Sequence, residues 1–276
     1  MSIDVTTQRK SKKMYTGVMT FELVGLNPDT DELSDILGLD IEREPSYVDT
    51  DREGTPRIRL DFWFKNEQYG IVKNFPVWLT DSVVNPSAKG KTQFMGVNGL
   101  STYATDVAEL AGPKFNKWIF PDTRDGVVDF RPAHVGEADL YAMLIALYKS
   151  DTRNPNNTIV VDTDWSDFVA GDISELSGLR TDGTMKVQLL VAQLPKELDD
   201  GNTVWNVDFY RKVVLSEGDS PRRMTTLLKK DVENGYPYKG NYQDTLAVEE
   251  FDPTQAVPSQ TTQPASQADV RGALNI

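Results

Sequence analysis

The sequence predicts a strand-rich α+β fold in which antiparallel strands curl toward a partly open barrel, with helical and loop insertions. Three observations predict it. The stretch Arg57-Ile-Arg-Leu-Asp-Phe-Trp-Phe64 alternates without a fault, with Ile58, Leu60, Phe62 and Phe64 to one side and Arg57, Arg59, Asp61 and Trp63 to the other. Period-two alternation marks a strand with one buried and one wet face. Residues 184–194 and 203–215 are longer strand candidates joined by Pro195-Lys-Glu-Leu-Asp-Asp-Gly201, the composition of a hairpin connection. Residues 136–149 form the best helix in the chain, with Ala138, Tyr141, Ala142, Leu144, Ile145 and Tyr148 as a broad apolar stripe.

The remaining elements follow in order. Residues 1–14 are polar and basic, an expected disordered arm whose charges are Arg9, Lys10, Lys12 and Lys13. Residues 15–24 read as the first strand, with Met19, Phe21 and Leu23 inward. Asp29 or Thr30 caps a short helix through Leu37, which Gly38 ends. Residues 40–56 are a charged connection in which Pro45 and Pro56 bracket Tyr47-Val-Asp49. The organising strand, 57–65, has residues 71–80 as its antiparallel partner, and Pro76 within that partner demands an edge or a bulge. A loop, a short strand and an Asn98-Gly99 turn follow Lys89. Residues 101–130 hold Tyr103, Phe115, Trp118 and Phe120 without clean periodicity. Asn154-Pro-Asn-Asn157 is a turn, 158–161 a short strand, and 165–176 an irregular helical segment. In the final strand Trp205, Val207 and Phe209 face inward, and Asn206, Asp208, Tyr210 and Lys212 outward. Arg222, Arg223, Lys229 and Lys230 lie in a short helix, and the acidic run Val248-Glu-Glu-Phe-Asp252 is either a frayed end or a docking motif. This partition gives an arm at 1–14, a core domain at 15–250 and a polar disordered tail at 251–276.

Composition narrows the chemistry. A length of 276 residues with 39% hydrophobic and 26% charged content suits a globular domain. No run of eighteen apolar residues occurs, and the N-terminus lacks the apolar core of a signal peptide, so a cytoplasmic protein without membrane partners is expected. The chain has no cysteine and one histidine, His134, which removes thiol chemistry and the usual zinc sites. No Gly-x-Ser-x-Gly elbow supports His134 as a base. Gly90-Lys91-Thr92 is not a phosphate loop, because residue 85 is Asn and Thr92 leads into a strand. No catalytic residue, metal site or cofactor is therefore assigned. The formal net charge of −13 opposes phosphate binding on average, but a groove needs only local positive charge.

Two arginines and a tryptophan on one strand face offer charge for phosphates and a flat ring for bases, the needs of a single-stranded nucleic acid. A solubilising strand face is the alternative. Trp63, Trp78, Phe94 and Tyr103 are the candidate stacking platforms, and Arg57, Arg59, Lys89, Lys91 and Arg131 the candidate phosphate contacts. Arg59 and Trp63 lead. An OB-fold-like barrel, which binds oligonucleotides across one face, suits this inventory.

Several phrases resemble single-stranded DNA-binding proteins of tailed bacteriophages, including those of crAss-like phages. They are Lys13-Met-Tyr-Thr-Gly-Val18, Glu44-Pro-Ser-Tyr-Val48, Arg57-Ile-Arg-Leu-Asp-Phe-Trp63 and Arg131-Pro-Ala-His-Val-Gly-Glu-Ala-Asp-Leu-Tyr141, in scattered blocks between residues 13 and 215. The resemblance implies an OB-fold core and cooperative coating of single strands during replication and recombination. It also implies neighbour contacts through the Arg9-Lys-Ser-Lys-Lys13 arm and a C-terminal tail that recruits replication or recombination proteins. The chain departs from that pattern at Gly272-Ala-Leu-Asn-Ile276, where the family carries an acidic run. The expected function is non-enzymatic binding of single-stranded DNA with little sequence preference. The rivals are a phage structural or assembly protein without nucleic-acid affinity, and an enzyme with a carboxylate-held metal.

Overall fold

The computed structural model describes residues 12–51, 54–96, 101–111, 130–150, 164–197, 201, 203–235 and 247–251. The chain divides into two compact units, residues 15–247 and a smaller one made of residues 1–14 and 248–276. The first is α+β and strand-rich, with a strongly curled antiparallel half-barrel and few helices, consistent with an OB-fold-like arrangement.

Its larger sheet is ordered β2-β3-β1-β8-β9, from β2 (Val48–Thr50), β3 (Pro56–Asn66), β1 (Lys12–Leu26), β8 (Lys186–Glu197) and β9 (Thr203–Ser216). The strand β4 (Ile71–Thr80) pairs with the other side of β3 in unbroken register from Arg57↔Thr80 to Asn66↔Ile71. Pro76 sits opposite Asp61 within that register. As an edge strand among the described residues, β4 tolerates the missing N–H without a bulge.

The inward rows are those the alternation requires: Met19, Phe21 and Leu23 from β1, and Ile58, Leu60, Phe62 and Phe64 from β3, are all buried. Curling brings the far strand back over them. Phe209 of β9 meets Phe21 edge-on at 4.9 Å, Phe64 edge-on at 6.4 Å and Phe75 of β4 stacked at 6.3 Å. Lys73 and Asp208 form an ion pair at 3.3 Å between the same two strands. Helix α2 (Glu137–Ser150) fills the concave face with Leu140, Met143, Leu144 and Leu147, and α3 (Trp165–Val169) adds Trp165 and Phe168.

Helix α1 (Thr30–Leu37) forms as its caps dictate. Asp29 and Glu32 make a reciprocal capping box, and Gly38 closes the helix at φ 64°. A second sheet, β6-β5-β7, contains β5 (Thr92–Gly96), β6 (Ser101–Ala104) and β7 (Phe130–Pro132). It joins β4 where Thr80 N–H donates to the Val135 carbonyl. Gly136 is required there: at φ +80° a β-carbon would lie 1.9 Å from the Trp78 carbonyl oxygen.

Four expectations are corrected. In α2, Ala142 and Ile145 are exposed, and Leu140, Met143 and Leu147 face the core instead. The helix is apolar on most of its circumference, and the sheet beneath selects a stripe offset from the one expected. Tyr210 is buried rather than outward, because α4 (Arg222–Glu233) covers that face of β9 with Met224 and Leu228, and Tyr210 Oη donates to Asp231. Residues 247–251 are a strand, β10, rather than a frayed end. Lys12 and Lys13 begin β1 rather than ending an arm. Arg9, Lys10, the Asn98-Gly99 turn, Phe115, Trp118, Phe120, the elements read at 154–161, the side chains of Trp205, Asn206, Val207 and Lys212, and the tail beyond Phe251 lie outside the described residues. Among the described residues no helix is long and apolar enough to cross a membrane.

Candidate nucleic-acid interface

The outward face of β3 is a pair of cross-strand rows. In register, Arg59 lies opposite Trp78 of β4, and Arg57 opposite Thr80. On the other side Asp49 lies opposite Arg57, and Arg59 N–H donates to the Tyr47 carbonyl at 2.8 Å. One row thus reads Tyr47, Arg59, Trp78 and the next Asp49, Arg57, Thr80. Directly opposed side chains on one sheet face sit about 5 Å apart at the Cβ, which forces the contacts seen. The Arg59 guanidinium lies between two rings, 5.6 Å from Tyr47 and 5.7 Å from Trp78. The Arg57 guanidinium lies 4.8 Å from the Trp78 centroid. Trp78 itself remains 43% exposed.

Each arginine also carries a carboxylate. Arg57 Nη2 is 2.6 Å from Asp49 Oδ2, and Arg59 Nη2 is 3.0 Å from Asp61 Oδ2. Hydrogen bonds from Arg57 and the Thr50 N–H hold the Asp49 carboxyl below its ordinary range. Asp61, unlike Asp49, is buried. The Asn27 turn clasps it, since Asp61 N–H donates to Asn27 Oδ1 at 2.7 Å and Asn27 N–H to the Asp61 carbonyl at 3.1 Å.

Tyr47 is pinned at its far end, its hydroxyl donating to the Pro28 carbonyl at 2.7 Å. Burial and then the Asp61 charge push its pKa from 10.0 up to about 12, against the opposing pull of Arg59. A raised folded-state pKa means that the neutral phenol stabilises the fold. That contribution is complete below pH 10 and is lost as pH rises toward about 12. Titration followed by phenolate absorbance should show a tyrosine ionising near pH 12 that Tyr47→Phe removes. Its ionisation near pH 10 would contradict the contact.

The other expected residues are placed differently. Trp63 is half-buried with its indole N–H shielded, and Gly25 of β1 lies directly opposite it in register. Phe94 is buried with Ala104 and Leu110, which leaves no face for a base. Arg131 is spent on Glu137: both guanidinium nitrogens hold the fully buried carboxylate, which also accepts His134 N–H at 2.9 Å. That contact raises the Arg131 pKa above its ordinary value and anchors the start of α2. His134 stacks on Trp165 at 5.2 Å. Tyr103, 58% exposed on β6, and Lys89 and Lys91, exposed around the Ser87–Lys91 turn, remain accessible on the second sheet.

Sequence reasoning named Arg57, Arg59 and Trp78 and missed Tyr47 and Asp49. The signal was present: Tyr47 and Asp49 are two residues apart, a spacing that puts both on one face once residues 48–50 become a strand.

A cavity of about 690 Å³ lies between α1 and residues 171–181, lined by Ile36, Ile173 and Leu179 with Glu32, Asp35 and Asp172. Its lining has no lysine or arginine, so it does not suit phosphate. Among the described residues no group of three or more His, Cys, Asp or Glu side chains is arranged to hold a metal ion. Comparisons with protein-family models, curated proteins and solved structures return no match.

Proposed function

We propose that this chain binds single-stranded DNA without catalysis, coating it with little sequence preference during phage replication and recombination. The observation that carries the reading is Trp78, an exposed indole on an edge strand with two guanidinium groups 4.8 and 5.7 Å from its ring. Stacking is tolerant of sequence because every base has a π-face. Arg57 supplies a phosphate contact, Arg59 lends its guanidinium plane to stacking, and Tyr103, Lys89 and Lys91 extend the basic and aromatic surface on the second sheet. Self-association along the strand and recruitment of replication or recombination proteins belong to the same reading, through the basic N-terminal segment that leads into β1 and the C-terminal tail.

The carboxylates shape its energetics. A phosphate reaching Arg57 exchanges with Asp49 rather than meeting a bare cation. Each such exchange contributes less than the roughly 0.7 in log–log salt slope expected per neutralised phosphate on a single strand. Stacking therefore dominates, and the salt dependence is shallow.

Titration with oligo-dT, followed by tryptophan fluorescence at low and high salt, tests the proposal. Quenching at micromolar protein with a modest loss of affinity in high salt is the expected result. Absence of quenching at low salt would move the assignment to a phage structural or assembly protein.

A further inference from the structure

The segment Tyr47-Val-Asp49 presents to β3 the two chemical parts of a nucleotide. It offers a flat aromatic ring and, one strand repeat away, an anion, about 6.6 Å along an extended chain. Tyr47 stacks on the Arg59 guanidinium at 5.6 Å, and the Asp49 carboxylate holds Arg57 at 2.6 Å. Resting on the single-strand reading above, we infer that Tyr47 and Asp49 are an internal occupant of one nucleotide subsite, with a base position over Arg59 and a phosphate position at Arg57. An incoming strand displaces them.

Three features support displacement. Asp49 is exposed and on a short edge strand of three residues, and an exposed ion pair contributes little to stability. The Tyr47 side chain is secured by one hydrogen bond, to the Pro28 carbonyl, and by its stacking on Arg59, and an incoming base replaces that stacking. Trp78 stays accessible while the occupant is in place. A first base can therefore stack there before the neighbouring subsite opens. Asp61 is different: it is buried and clasped by Asn27, so Arg59 keeps its carboxylate and serves as a stacking plane rather than a phosphate contact.

The test is oligo-dT affinity, by fluorescence anisotropy of a labelled oligonucleotide, for the wild type, Asp49→Asn, Tyr47→Ala and the control Glu44→Gln. Glu44 is an exposed carboxylate on the same connection. Asp49→Asn is expected to bind about 2- to 5-fold more tightly than the control, the equivalent of one exposed ion pair removed. Tyr47→Ala is expected to bind at least as tightly as the wild type. Equal affinity of Asp49→Asn and Glu44→Gln would show only a general charge effect and overturn the phosphate position. Weaker binding by Tyr47→Ala in a protein that melts cooperatively would make Tyr47 part of the platform and overturn the base position. Failure of every protein to bind would sink the single-strand reading itself, an outcome distinct from wild-type binding without gain in Asp49→Asn.

Discussion

Trp78→Ala is expected to weaken oligo-dT binding by about 5- to 160-fold, the equivalent of the roughly 1–3 kcal/mol that one base stack contributes. Its effect on unfolding should be small, because the ring is 43% exposed on an edge strand and the packed rows of β4 are Phe75, Val77 and Leu79. Trp63→Ala should behave in the opposite way. Trp63 is half-buried and packed beside Gly25, so its loss should lower the unfolding midpoint while the folded fraction still binds. Measuring affinity and thermal melting on both variants separates the roles. Affinity lost in Trp63→Ala and kept in Trp78→Ala would return the platform to Trp63 on β3.

Arg131→Ala is expected to lower the melting temperature by roughly 4–12 °C. A fully buried Glu137 would lose both guanidinium hydrogen bonds and keep the His134 N–H, with the His134 Nδ1 3.5 Å away. Leaving a buried charged acceptor underserved costs about 2–3 kcal/mol once the half-exposure of Arg131 is allowed for, and each kcal/mol is worth about 2–4 °C in a chain of this size. Glu137→Gln in the Arg131→Ala background should recover part of the loss, since a neutral amide is less costly to bury. Melting by circular dichroism of the two single variants and the double variant gives the coupling. An unchanged melting temperature with reduced oligo-dT affinity would restore Arg131 as a phosphate contact.

The contrast between Arg57 and Arg131 explains how much of the site could be read in advance. Both are candidate phosphate contacts in the sequence. Arg57 keeps that character because its partner, Asp49, is itself exposed. Arg131 loses it because the carboxylate six residues on lies at the buried first turn of α2. Nothing in the local pattern around Glu137 distinguishes a solvated helix start from a buried one. Phe94 and Tyr103 make the same point in a single hairpin: neighbouring strands of one small sheet bury one ring and expose the other.

What the sequence determined by itself was whatever depends on neighbours along the chain. The alternation of Ile58, Leu60, Phe62 and Phe64 chose the buried face of β3, and Asp29, Glu32 and Gly38 set both ends of α1. Pro76 called for an edge or a bulge, and β4 is an edge strand, among the described residues, in unbroken register. These are short-range effects of pleat, capping and a missing N–H. Only the tertiary structure decided which outward faces stay wet. The outward row of Tyr210 was covered by α4, the outward position of Asp61 was clasped by the turn at Asn27, and the Arg59 plane was covered by Tyr47. Covering is a contact between segments distant in sequence, and periodicity carries no information about what packs on top of a polar row. Trp78 stays exposed on β4, which is an edge strand among the described residues.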